Sequence, residues 1–160
     1  MENFKNKIAV VTGGGTGMGR ELVRQLAAEG CHVAMCDVIQ ENMDETFEIV
    51  SKECPNIKVT KHICDVSDEE QVLQFRDEVI DQHETSVINL LFNNAGIGGG
   101  GSFVEGSREE WERCFAVCWY GVYYCSRAFM EYIVASDEGH IINTSSVNGF
   151  WATLNGVPHT

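Results

Sequence analysis

The chain has 160 residues, 44% hydrophobic and 22% charged, with 16 Gly and only 2 Pro, which excludes a disordered or fibrous polypeptide and fits one globular domain, residues 1–160. At this length a fold hides roughly 68–70% of its unfolded surface, so no disulfide or metal staple is required. Eleven Lys and Arg against 24 Asp and Glu leave a formal charge of -13, which repels phosphate backbones and anionic lipid and argues against nucleic acid and membranes as partners.

The first apolar run, Ile8-Ala9-Val10-Val11, is too short for a signal-peptide core or a membrane span, and a cytoplasmic protein is the expectation. With Lys7 and Thr12 it predicts a buried strand stopped by glycine. Residues 18–29 place Leu22, Val23, Leu26 and Ala27 at helical spacing, and Gly30 ends that helix before a second strand, Val33-Ala34-Met35-Cys36. A helix over about 41–53 follows, stopped by Pro55, and then a strand near Ile57–Ile63.

Ser67-Asp68-Glu69-Glu70 has capping-box spacing and predicts Ser67 as the cap of a helix carrying Val72, Phe75, Val79 and Ile80. Val87 to Phe92 reads as the fourth strand. Ser107-Arg108-Glu109-Glu110 opens a long helix over about 108–135, so rich in aromatics that a subunit interface is expected on it. His140-Ile141-Ile142-Asn143 is the fifth strand. Strands alternating with helices specify an α/β fold, a doubly wound parallel sheet with right-handed crossovers whose ligands bind beyond the carboxyl ends of the strands.

The seven cysteines form no Cys-x-x-Cys pair and read as free thiols in a reducing compartment. The five histidines are scattered over unrelated elements, and no metal site is expected. Gly98-Gly99-Gly100-Gly101 reads as a mobile loop at the mouth of a site.

Chemistry concentrates at the strand ends. Thr12-Gly13-Gly14-Gly15-Thr16-Gly17-Met18-Gly19 lies between the first strand and the first helix, where helix amides and dipole can cradle a diphosphate. Gly13, Gly17 and Gly19 fill the three glycine roles of such a turn: a tight bend, backbone approach to the phosphate, and close helix packing. Gly15, Thr16 and Met18 are counted with them as cofactor contacts. Asp37, eighteen residues after Gly19, ends the second strand, where a carboxylate accepts ribose hydroxyls and repels a 2′-phosphate, favouring NAD over NADP. Val38 follows it and is counted as a contact too.

The spacing of Thr12, Gly13, Gly17 and Gly19 resembles the Thr-Gly-x-x-x-Gly-x-Gly cofactor loop of the short-chain dehydrogenase/reductase family. Cys64-Asp65-Val66, Asn93-Asn94-Ala95-Gly96 and Asn143-Thr144-Ser145-Ser146-Val147-Asn148-Gly149 agree with further family blocks, each after a successive strand. The resemblance implies a Rossmann-type sheet, Asp65 and Val66 at the adenine, and Asn94, Ala95 and Gly96 beside the ribose and bracing the sheet. It implies Ser146 as the catalytic serine and a homo-oligomer for the complete protein. The reaction implied is hydride transfer between nicotinamide and a secondary alcohol or its ketone.

Two departures follow. No tyrosine has a lysine four residues later, so the family's Tyr-x-x-x-Lys is missing, and Cys118 stands seven residues after Trp111, where relatives carry a catalytic asparagine. The chain is therefore expected to be a form truncated after the fifth strand, nearly inactive alone, with that strand an exposed edge and marginal stability. The alternatives are a non-catalytic dinucleotide-binding sensor or assembly module, and an S-adenosylmethionine methyltransferase of similar architecture.

Overall fold

The computed structural model describes residues 3–99 and 106–147. Gly100–Gly101 of the glycine run, Asn148–Gly149 of the last motif, and the final residues Val157–Thr160 lie outside the described residues. The strands are β1 (Ile8–Thr12), β2 (His32–Asp37), β3 (Val59–Ile63), β4 (Leu90–Asn93) and β5 (His140–Asn143). The helices are α1 (Gly17–Ala28), α2 (Gln40–Glu53), α3 (Glu69–His83), α4 (Arg108–Phe115) and α5 (Gly121–Val134), the last two joined by a π-helical turn at Ala116–Tyr120.

The strands form one sheet in the order β3-β2-β1-β4-β5, every pairing parallel. The order reverses between β1 and β4, the place where such sheets open a crevice. Side chains of β1 alternate between two cores: Ala9 and Val11 join Val33, Met35, Val23 and Met43 on one face, while Val10 joins Ala34, Leu91, Phe75 and Phe129 on the other. Burial on both faces accounts for the unbroken apolar run of β1. Phe75 and Phe129 meet edge to face at 5.6 Å, locking α3 to α5 over the second face.

Three expectations need correction. The long helix is interrupted: α4 ends at Phe115 and a π-helical turn carries Cys118 before α5 resumes. Such a turn rotates every later side chain on the helix, and single-turn π bulges recur at functional sites. Asp68, not Ser67, caps α3, its carboxylate accepting the amides of Glu70 and Gln71; Ser67 is bound instead to the Asp65 carboxylate. The fourth strand starts late, because the Ile88 amide bonds the Tyr132 carbonyl of α5 before the chain joins the sheet.

On the aromatic helix, Phe129 and Ile133 are buried, whereas Phe115, Trp119, Tyr120 and Tyr123 are exposed. The helix thus has a core side and an aromatic outer side.

At the β3 edge, buried His62 bonds Glu78 at 2.8 Å and Thr60 at 2.9 Å, and Thr60 bonds His83 at 3.0 Å. Burial pushes the His83 imidazole down to about 4, aided by the positive charges of Lys58 and the neighbouring histidines. Burial also lowers His62, against the pull of Glu78. The folded protein thus binds fewer protons than the unfolded chain, so this stability is complete above the ordinary histidine range near 6.5 and is lost as pH falls from there towards 4. Urea denaturation at about pH 7.5 and pH 5 should show a loss of about 1 kcal/mol, about half of what the full shift would give, because His83 is partly open to solvent. His83→Gln should remove most of that slope.

Candidate functional site

The glycine-rich turn is held from behind by β2 and α2. Gly13 turns at a φ of 67°, a left-handed conformation that suits glycine. The Gly14 amide donates to the Cys36 carbonyl at 3.0 Å. The Gly15 amide donates to Asp37 Oδ2 at 3.1 Å, and the Ile39 amide to Asp37 Oδ1 at 3.2 Å. Asp37 therefore pins the loop while its remaining lone pairs stay available to a ligand.

Arg20 performs a similar task from α1. Its guanidinium donates to the Gly15 carbonyl at 2.8 Å, Thr46 Oγ1 at 3.0 Å and Glu45 at 2.7 Å. Thr46 is fully buried and donates to the same carbonyl at 2.9 Å. Thr16 is the N-cap of α1, in extended backbone, and its side chain makes no capping hydrogen bond. The first amides of a helix have no intrahelical partner, so this terminus offers unused N–H groups and the positive end of the dipole.

The opposite wall comes from β4. Thr12 Oγ1 accepts the amides of Asn94 at 3.0 Å and Ala95 at 2.9 Å, and the Asn94 side chain donates back to the Thr12 carbonyl at 3.1 Å. Asn93 donates to Asn143 at 2.8 Å and Ser126 at 3.0 Å, tying β5 and α5 to β4. Asn94 and Ala95 thus brace the tails of the two central strands.

Between these walls lies a crevice of about 610 Å³. Gly13, Thr16, Met18 and Gly19 line it on the loop side, Asp37 and Val38 at the β2 end, Asp65 and Val66 at the β3 end, and Asn94, Ala95 and Gly96 at the β4 end. Two expected contacts are absent from that lining: Gly17, and Gly15, whose amide is spent on Asp37. At Gly15 a Cβ would stand 2.8 Å from Asp37 Oδ2 and 2.9 Å from Asn42 Cβ, so glycine here serves the approach of β2 and α2 to the loop. Asp65 combines both readings of its position: it lines the crevice and also accepts the Ser67 amide at 2.9 Å in a local turn.

A second crevice of about 300 Å³ adjoins the first, sharing Asn94, Ala95 and Gly96. Ser145, Ser146 and Cys118 line it, so the two expected catalytic residues face one space. The Ile97 amide donates to Cys118 Sγ at 3.4 Å. A thiol in this place accepts a backbone amide but gives only a weak donor in return.

Asn42, Ser67, Arg113 and Val117 also line the main crevice and were not foreseen. Arg113 and Val117 come from α4 and the π-helical turn, far along the chain; the only sequence trace is their spacing of one helical turn. Arg113 puts a cation on a wall where none was expected. The cysteines are free, and Cys36, Cys64 and Cys125 are buried together. Hydrogen bonding to Cys64 and burial push the Cys36 thiol well up, and burial pushes Cys125 up to about 12. Among the described residues no helix is long and apolar enough to cross a membrane.

Comparison with known proteins gives this arrangement its context. Meso-2,3-butanediol dehydrogenase of Serratia marcescens is 35% identical over 146 residues, 91% of this chain and 55% of that protein. The crystal structure of a short chain dehydrogenase/reductase from Burkholderia phymatum in complex with NAD superposes with a TM-score of 0.89 at 31% identity, covering 98% of this chain and 54% of that one. A metagenomic short-chain oxidoreductase in complex with NADP gives a TM-score of 0.86 at 29% identity, covering 96% and 68%. The chain spans about half the length of the curated relatives it matches. The model of the short chain dehydrogenase family matches residues 7–159, and the chain, with its Rossmann-like parallel sheet, belongs to that family of oxidoreductases.

Proposed function

We propose that this chain is the cofactor-binding part of an NAD-dependent alcohol/ketone oxidoreductase. The observation that carries the reading is the crevice itself: an uncapped helix N-terminus on one wall and a strand-end carboxylate on another, opening at the reversal of strand order. The residues present fit a dinucleotide. A Cβ at Gly19 would lie 1.9 Å from the Gly13 carbonyl, so the loop closes tightly enough to leave backbone, not side chain, facing the phosphates.

When bound, the nicotinamide supplies or accepts a hydride. The chain's own residues bind and orient: the amides at the start of α1 hold the diphosphate, Asp37 holds the adenosine ribose and excludes a 2′-phosphate, and Asp65 and Val66 flank the adenine. Asn94, Ala95 and Gly96 pass the second ribose, and Ser146 hydrogen-bonds the substrate oxygen as charge grows on it. Cys118 stands in place of an asparagine and weakens the proton relay. The relatives bound to NAD and to NADP support a dinucleotide ligand of one kind or the other, and Asp37 is the reason to choose NAD.

No Tyr-x-x-x-Lys occurs in these 160 residues, so the positioned proton donor that would complete turnover is not among them. A homo-oligomer of the complete protein, joined through the aromatic outer side of α4 and α5, fits the exposure of Trp119 and Tyr123. Family membership removes the support for the methyltransferase reading. A non-catalytic sensor or assembly module is the second reading, in which the same crevice binds the dinucleotide without turnover.

Titration with NADH, followed by quenching of tryptophan fluorescence, tests the binding claim. Saturable quenching with turnover of secondary alcohols near background is the expected pair of results; a flat titration would remove the dinucleotide altogether.

A further inference from the structure

Cys114 and Cys118 lie four residues apart, where α4 passes into the π-helical turn, and both point at one backbone group. Cys118 Sγ is 3.5 Å and Cys114 Sγ 3.8 Å from the Ile97 carbonyl oxygen. The two sulfurs are also neighbours: burial first, then the adjacent Cys118 sulfur, raises the Cys114 thiol. The strand-exit segment runs across the pair, since a Cβ on Gly96 would meet Cys118 Sγ at 3.8 Å and one on Gly99 would meet Cys114 Cβ at 4.0 Å. Cys118 opens onto the 300 Å³ crevice that holds Ser146, whereas Cys114 is buried and does not line it.

Spacing decides which chemistry suits two such thiols. Residues four apart on a helix hold their Cβ atoms about 5–6 Å apart, whereas a disulfide requires about 3.5–4.5 Å. Direct oxidation would have to move the backbone. A single soft atom inserted between the sulfurs lengthens the bridge and removes that demand.

We propose that Cys114 and Cys118 form a two-thiol site for a trivalent arsenical, set into the wall of the crevice beside Ser146. With an organoarsenic oxide, two As–S bonds form while the arsenic–oxygen bond breaks, and the oxygen leaves with both thiol protons as one water. No electrons change hands and no oxidant is needed. The organic group of the bridged adduct lies in the crevice, so loading the thiols closes the space in which a substrate would meet Ser146. The site stands whether or not the chain binds a dinucleotide, because its detection needs no cofactor.

Phenylarsine oxide tests it on the whole chain. Intact-mass measurement after about one equivalent should show a single adduct with loss of one water. Unfolding and alkylation with iodoacetamide, followed by fragment mass spectrometry, should find Cys114 and Cys118 as the two unalkylated thiols. Cys114→Ser and Cys118→Ser should each weaken binding by roughly 100-fold or more, because the second bond is intramolecular only while both thiols are present. The protection map on the unaltered chain stands even where a variant folds poorly. Protection of another pair, such as Cys36 with Cys64, would overturn the proposal, as would no adduct at excess reagent.

Discussion

NADH should bind this chain about 10- to 100-fold more tightly than NADPH, and Asp37→Asn should shrink that ratio to a few-fold. Two unit charges about 4 Å apart repel by about 4 kcal/mol at the effective dielectric of a protein surface, and a 2′-phosphate on the ribose would meet the Asp37 carboxylate at such a range. Screening by salt and by the open crevice mouth reduces the figure to the one or two decades given. Asparagine keeps the shape and one acceptor oxygen, so it can still take the Gly15 or the Ile39 amide that Asp37 accepts now. NADPH affinity should rise while NADH affinity falls by about tenfold, the lower end of the worth of one charge-assisted hydrogen bond. Parallel fluorescence titrations with both cofactors at two salt concentrations make the measurement. An unchanged ratio would assign Asp37 to the loop alone and shift attention to Arg113, a cation lining the same crevice.

The residues legible in advance are those whose signal is local. Glycines after β1 mark a turn whatever lies elsewhere, and Asp37 is read from its place at the end of an apolar run, which the structure confirms as the crevice end of β2. Arg20 and Thr46 were not legible: both serve the Gly15 carbonyl, and nothing in a single sequence tells that α2 packs there. The Ser67 cap failed through local competition, since Asp68, one residue on, offers a charged acceptor to the same helix amides. The continuous helix failed for a different reason. A π-helical turn leaves no break in the apolar pattern, because the inserted residue keeps every neighbour helical while turning the following face. Its cost was the missed placement of Cys118 against Ile97.

Gly19→Ala should have the larger effect on the molecule, reducing NADH affinity by about 100-fold, or nearly 3 kcal/mol, and lowering the thermal midpoint by several degrees. The added Cβ would stand 1.9 Å from the Gly13 carbonyl oxygen and 2.7 Å from Asn94 Nδ2. Neither neighbour can yield cheaply, for Gly13 turns at a positive φ and Asn94 is bound to the Thr12 carbonyl across the central strands. Relief must come from moving the first turn of α1 away from β1, which costs about 1–3 kcal/mol in a packed core and displaces the amides that face the crevice. Gly17→Ala provides the contrast. Its Cβ would meet nothing within 4 Å, so only the left-handed backbone at a φ of 55° is strained, at about 1–2 kcal/mol. Met18→Ala, at an exposed side chain, should leave the midpoint within about 1 °C of the parent. Thermal melts and NADH titrations of the three variants should rank Gly19→Ala as most damaged, Gly17→Ala as intermediate and Met18→Ala as nearest the parent in stability. Parent-like binding by Gly19→Ala would mean that the diphosphate does not rest on the start of α1, and the cofactor reading would have to be abandoned with it.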